Sequence, residues 1–383
     1  MPEAVIVSAL RTPVGTAYRG TLRDTTAFDL ADHVVRAAAE GLDPERIDDV
    51  ILAEGLAGGG VIARHAAITA GIQNVPGLAL NRHCAASLSA VATAAGSIRS
   101  GMDELVIAGG VSSGSTAPRE RIRQGEEWVD WFSPTHPDRP DAPNRDMSIT
   151  IGWSAAVKAN VSREEMDAWA LRSHRNAIRA IDEGRFKEEI VPIETPHGLF
   201  AVDEHPRRDT SMEKLAKLKP LHPEIEGFSV TAGNACGSND GAAALVIASD
   251  RVAAELGRAP LAVVRSWASV GVDPAETWSA PVKAIPKALS RASLTLGDVD
   301  LFEINEAFAA MCVACVRILG IDPDKVNVNG SGCSIGHPIA ATGGRMLATL
   351  IYQLRRQGGG IGVAAMCAGG GMGGATVIEV PAP

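Results

Sequence analysis

Aromatic residues are scarce: they make up 4% of 383 positions, and only two are tyrosines. A core of that size must be packed from Ala, Val, Ile and Leu. That mixture suits buried α/β layers better than a β-sandwich or a disordered chain. Apolar runs long enough to span a membrane are also missing, so no membrane role is expected. There is no basic surplus, since 36 Lys and Arg face 45 Asp and Glu for a net charge of −9. This argues against nucleic acid as the main partner but leaves room for a phosphate-bearing cofactor held by a local basic patch. Nothing at the start reads as a secretory signal: "MPEAVIVSALRTPVG" enters a short apolar run as a first core strand would. The closing "VPAP" is not a peroxisomal address. The expectation is a reduced cytoplasmic protein. Its six cysteines (Cys84, Cys236, Cys312, Cys315, Cys333 and Cys367) would then be buried small hydrophobes or reactive thiols.

What is present points to a large α/β protein. The chain is too long for one ordinary core, and two or three domains or subdomains are expected. Strand-like runs (Ala4–Ala9, Val50–Ala53, Gly77–Asn81, Glu104–Ala108) alternate with helix-like ones (Phe28–Glu40, Val61–Ile72, Ala85–Ser100). Continuous apolar strands between helices mean a sheet covered on both faces. Ser112–Pro143 is polar and Pro-rich and reads as loop. Ser162 with Glu165 forms a capping box ahead of an amphipathic helix. The chain is charged from Glu188 to Phe228, and apolar alternation resumes at Ser229. The closing part echoes the opening one: "ERIDDVILAEG" (45–55) resembles "GDVDLFEINEA" (297–307), and at nearly the same offset Cys84 matches His337. Two similar α/β halves around a polar insertion is the simplest account. Chance similarity of two α/β units is the alternative.

Several residues could carry chemistry. Cys84 follows a strand and begins a helix, where unpaired N–H groups and the helix dipole would lower its pKa and favour the thiolate. A buried structural cysteine is the plain alternative. His337, in "SIGHPIAATGG", would sit at a helix N-cap edge with Pro338 in the first position. It could be the base that activates Cys84, or a satisfied structural histidine. Cys367 lies in "GVAAMCAGGGMGGA", whose glycines leave N–H groups free to bind an anion. "GGGMGG" fails as a dinucleotide fingerprint, because too few residues follow it. Asn305 and Glu306 stand where a strand turns into a helix and could be mere caps. Cys312 and Cys315 lie in an apolar helix and read as core rather than zinc ligands or a redox pair, so no metal is expected.

Taken together, "NRHCAAS", "NEAFAA", "NVNGSGCSIGHPIAATG" and "CAGGGMGGA" resemble, in order and spacing, the signature blocks of thiolases. "VIVSALRTPVG", "HPRRDTSMEKLAKLKP" and "TAGNACGSNDGAAAL" are also similar to thiolase segments, so the resemblance covers nearly the whole chain. It implies two similar halves in a five-layer α/β/α/β/α core with an inserted loop domain that binds coenzyme A. The corresponding bounds are 1–111 and 229–261 for the first half, 112–228 for the insertion and 262–383 for the second half. It further implies that Cys84 is the acylated nucleophile and His337 its base. Asn305 would hold a water in one oxyanion hole, and Cys367 would move the proton of the second substrate. The backbone N–H groups of Cys84 and Gly369 would form a second oxyanion hole. Arg207 and Cys236 would lie along coenzyme A, with the lysines of "EKLAKLK" as further cations or simply a solvated helix face. Coenzyme A and acyl-CoA enter as substrates, with no tightly bound cofactor, in a homodimer or homotetramer.

The chain departs from the family pattern at several positions: Ala86-Ser87 after the nucleophile, Ser112 and Gly114 for a glutamate and a methionine, Cys236 for a serine and Ala340 for a glycine. No catalytic group is lost, but substrate choice is open, and Gly114 could make room for a bulkier acyl chain. Two other readings stand beside the thiolase: a condensing enzyme acting on carrier-protein thioesters, and a catalytically silent acyl-CoA-binding subunit. The segment 121–132, "RIRQGEEWVDWF", reads as an assembly loop or an acyl-pocket cover.

Overall fold

The structure, a computed structural model, describes residues 2–55 and 59–382. The main sheet runs in the order 301–304, 360–368, 372–380, 262–271, 4–11, 239–249, 105–113, 49–54, 77–80. Two half-sheets meet in its middle, where Val5 pairs with Val263 and Ile6 with Ala262. Each half repeats one plan. Strand Asp49–Glu54 lies parallel to Leu105–Ser113, which pairs antiparallel with Asn239–Ser249. Leu301–Ile304 lies parallel to Gly360–Ala368, which pairs antiparallel with Met372–Val380. The echoed aspartates do the same work in both halves. Asp48 Oδ2 accepts the Leu105 N–H at 2.9 Å, and Asp300 Oδ2 accepts the Ile361 N–H at 2.7 Å.

Side-chain alternation along the strands assigns the layers. Val106, Ala108, Leu245 and Ile247 face a central layer made of helices Ala86–Ser100 and Thr342–Arg356. Leu105, Ile107, Val246 and Ala248 face outward onto helices Ala27–Ala39 and Ile62–Thr69. In the second half Phe302, Ile304, Val363 and Val377 pack outward on Ala280–Arg291 and Ala309–Leu319. The two central helices can approach closely because small residues meet there. A Cβ on Gly343 would lie 2.8 Å from the Leu88 nitrogen. The result is the expected five layers, helix–sheet–helix–sheet–helix. Cys312 and Cys315 are buried in the core as expected.

The insertion differs in detail from its sequence reading. Within the stretch expected to be loop, Glu120–Gln124 pairs with Glu127–Trp131 as a hairpin that turns at Gly125, whose φ is +63°. Both strands are mostly exposed, so no apolar alternation marks them. Ser162 and Glu165 do form the reciprocal capping box of helix Arg163–Asp182. A buried ionic network ties the insertion to both halves. Arg11 donates to Glu189 Oε1 at 2.7 Å and, through both terminal nitrogens, to Asp203 at 2.8 and 2.9 Å. Thr349, on a central helix, donates to the same Glu189 oxygen at 2.9 Å. Among the described residues no helix is long and apolar enough to cross a membrane.

Candidate active site

Two turns at equivalent corners of the halves carry the central pair. Cys84 does not begin the long helix. It sits in a tight turn, His83–Ala85, and the α-helix starts at Ala86. His337 likewise precedes a turn, Pro338–Ala341, and its helix starts at Thr342 rather than at Pro338. Both side chains face one cavity of about 460 Å³, together with Cys236, Gly369, Asn239, Phe308 and Gly114.

The expected depression of the Cys84 pKa does not occur. The N–H groups of Gly369 and of Cys84 itself pull it down, but burial outweighs them and pushes the thiol up to about 11. The cavity walls around this half-buried residue leave less solvation than the charge needs. His337 shifts the other way: burial, then the Arg345 charge, lowers it to about 3. At neutral pH the pair is therefore a thiol and a neutral imidazole. Its tautomer follows from one hydroxyl proton. Thr342 Oγ1 donates to the Pro338 carbonyl at 2.8 Å, so His337 Nδ1, 2.6 Å away, donates to Thr342. Nε2 keeps its lone pair, is buried and has no partner among the described residues. The His337 N–H is held by Asn239 Oδ1 at 2.9 Å, and Asn239 Nδ2 donates to the Gly15 carbonyl at 3.0 Å.

Asn305 and Cys367 lie deeper. Both are fully buried. The two polar atoms of the Asn305 amide lack partners among the described residues, unlike those of neighbouring Glu306. That carboxylate takes bonds from Trp169 Nε1, Ser173 Oγ, Asn327 Nδ2 and the Cys333 N–H. Glu306 is thus a structural anchor beside an Asn305 left open. The Cys367 thiol approaches Met311 Sδ at 3.3 Å, and burial, then the nearby Cys84 and Cys236 thiols, raise its pKa. Burial also pushes Cys236 up to about 12.

Arg207 is not brought to the cavity. Its side chain is exposed, and its backbone N–H donates to His174 Nδ1 at 3.1 Å. Its link to the site is indirect: His205, two residues before it, packs against Gly237 of the cavity wall. Lys214 is paired with Asp209 at 2.6 Å on an exposed face. Two of the substituted positions are engaged structurally. Ser87 Oγ accepts the Gly344 N–H at 2.9 Å, and Ser112 Oγ accepts the Ala340 N–H at 3.1 Å, each tying one half to the other. Sequence reasoning missed Asn239 and Thr342, which orient His337. Thr342 was signalled by its place five residues after that histidine.

These features match a known class. The thiolase N-terminal domain family matches residues 4–251, and the thiolase C-terminal domain family matches residues 258–380. The chain belongs to the thiolase family. It is 44% identical to an acetyl-CoA acetyltransferase of Pseudomonas aeruginosa, covering 97% of this chain and 98% of that protein. It is 40% identical to a 3-ketoacyl-CoA thiolase of Bacillus subtilis, covering 99% and 100%. The crystal structure of human mitochondrial 3-ketoacyl-CoA thiolase superposes with a TM-score of 0.92 at 37% identity, over 100% of this chain and 99% of that one.

Proposed function

We propose that the protein is a thiolase, an acyltransferase that cleaves 3-oxoacyl-CoA with coenzyme A, or condenses acyl-CoA with acetyl-CoA, through an acyl thioester on Cys84. The observation that carries this reading is the shared cavity of Cys84 and the unpartnered Nε2 of His337. Nε2 takes the Cys84 proton. This transfer makes a thiolate and an imidazolium together, which attract each other in a low-dielectric cavity. The Cys84 sulfur attacks the 3-oxo carbon, and the N–H groups of Cys84 and Gly369 stabilise the oxyanion. As the bond between carbons 2 and 3 breaks, the departing acetyl-CoA carbanion takes the Cys367 proton. Its enolate oxygen is stabilised by the Nε2–H of His337 and a water held by Asn305. Coenzyme A then returns a proton to Cys367 and, as thiolate, takes the acyl group from Cys84, whose departing thiolate recovers its proton from His337 Nε2.

Cys236 would line the path of the pantetheine and Arg207 would meet the phosphates of coenzyme A, which enters as substrate with no resident cofactor. We assign 112–228 as the coenzyme A-binding insertion between halves 1–111 with 229–261 and 262–383. The setting is a cytoplasmic homo-oligomer in fatty acid metabolism. The retained Cys367 disfavours a carrier-protein condensing enzyme, since decarboxylative condensation needs no such base. The test is incubation with 3-oxoacyl-CoA esters, with and without coenzyme A, and mass spectrometry of Cys84. Coenzyme A-dependent cleavage with an acyl adduct on Cys84, both lost in Cys84→Ala, is expected. Absence of any adduct would leave the silent binding subunit as the better reading.

A further inference from the structure

A second cavity, of about 580 Å³, abuts the one that holds Cys84. His83, Ala117, Phe132, Thr135 and Ile339 face both. His83 is unusual among them. Its φ is +47°, a left-handed conformation that a non-glycine residue adopts only when its surroundings enforce it. The Asn81 Oδ1 atom holds its backbone N–H at 2.7 Å, while its ring makes no hydrogen bond among the described residues. The turn that presents Cys84 therefore also presents a ring at the junction of the cavities. Across from it, Phe132 keeps 64% of its surface exposed, with the Arg145 guanidinium 5.5 Å over its face. Beyond them, Leu80, Pro118 and Trp131 give the second cavity an apolar wall, and Glu54 and Glu120 are its carboxylates.

We propose that the acyl chain of the substrate runs from Cys84 between His83 and Phe132 into this second cavity, making the enzyme selective for long, uncharged 3-oxoacyl-CoA esters over acetoacetyl-CoA. The proposal rests on the thiolase reading and adds the acyl site to it. Room is sufficient. If a methylene takes about the volume of a water, roughly 30 Å³, six more carbons need roughly 180 Å³. The two carboxylates repel an acyl chain that ends in its own.

The test compares kcat/KM for coenzyme A-dependent cleavage of 3-oxodecanoyl-CoA and acetoacetyl-CoA by the purified protein. The C10 to C4 ratio is expected to exceed one. Ser133 and Pro118 line the second cavity but not the first, so Ser133→Trp and Pro118→Trp are each expected to lower the ratio at least tenfold. A C10 ester carrying a terminal carboxylate is expected to be cleaved at least tenfold less efficiently than the neutral one. A wild-type ratio at or below one, or a ratio unmoved in both folded variants, overturns the acyl site. Equal cleavage of the carboxylated ester overturns the charge selectivity. Failure to cleave any of the esters would strike at the thiolase reading itself.

Discussion

A cysteine in the first turn before a helix meets N–H groups that favour its thiolate, and the sequence around Cys84 shows that much. It does not show the cavity walls around the thiol, whose desolvation wins and pushes it up to about 11. The same applies to His337: its motif was legible, but the burial that lowers it to about 3 was not. A pH experiment follows. In the free enzyme the Cys84 thiolate fraction should rise about tenfold per pH unit from 7 towards 10, because the only thiolate available is the one titrating alone. The rate of iodoacetamide alkylation of Cys84, read by mass spectrometry of its peptide, should climb with that slope. A plateau reached near neutral pH would mean that a stable thiolate–imidazolium pair already exists in the resting enzyme.

Elements place these residues through close backbone approach. Strand Leu105–Ser113 carries Gly110 under the turn that follows His337. A Cβ there would stand 2.1 Å from the Ala340 carbonyl oxygen and 2.9 Å from the Ala53 Cβ. Neither neighbour can swing away, since one is backbone and the other a strand methyl. Gly110→Ala must therefore lift the Pro338–Ala341 turn off the strand and carry His337 with it. We expect kcat to fall by at least tenfold while the variant still folds, and circular dichroism beside the cleavage assay separates the two effects. An unchanged kcat would mean that the turn tolerates displacement. At this scale the sequence was informative where the signal is local. The Ser162–Glu165 capping box and the strand-to-helix alternation needed only neighbours in the chain. The Glu120–Trp131 hairpin escaped because its strands are exposed on both faces, so burial imposes no period on their side chains. The exact helix starts near Cys84 and His337 escaped because a tight turn and a helix share their first dihedrals.

At the scale of the whole molecule, the two halves and the insertion are joined by charges that no sequence pattern announces. Arg11 finds Glu189 and Asp203 at separations of 178 and 192 residues. The internal echo could predict two similar halves, because both keep the same aspartate and strand pattern, but the insertion has no counterpart to compare. Arg11 is fully buried, as is Glu189, and Asp203 nearly so. Together they set one cation against two carboxylates at the junction of strand 4–11, the insertion and, through Thr349, a central helix. Removing the cation leaves two carboxylates in a site that water does not reach. Breaking a buried pair in this way typically costs about 3–5 kcal/mol, more than the pair itself contributes. Arg11→Met, which keeps much of the volume, should lower the free energy of unfolding, measured by urea titration, by that amount at neutral pH. The loss should shrink as pH falls towards 4, because burial raises the Glu189 pKa and the stranded carboxylate can then be protonated in the folded state. The triple variant Arg11→Met, Glu189→Gln, Asp203→Asn should recover much of the stability. If it recovered none, packing of the Arg11 side chain against Phe186, whose ring lies 5.1 Å from the guanidinium, would be the stronger tie between the first strand and the insertion.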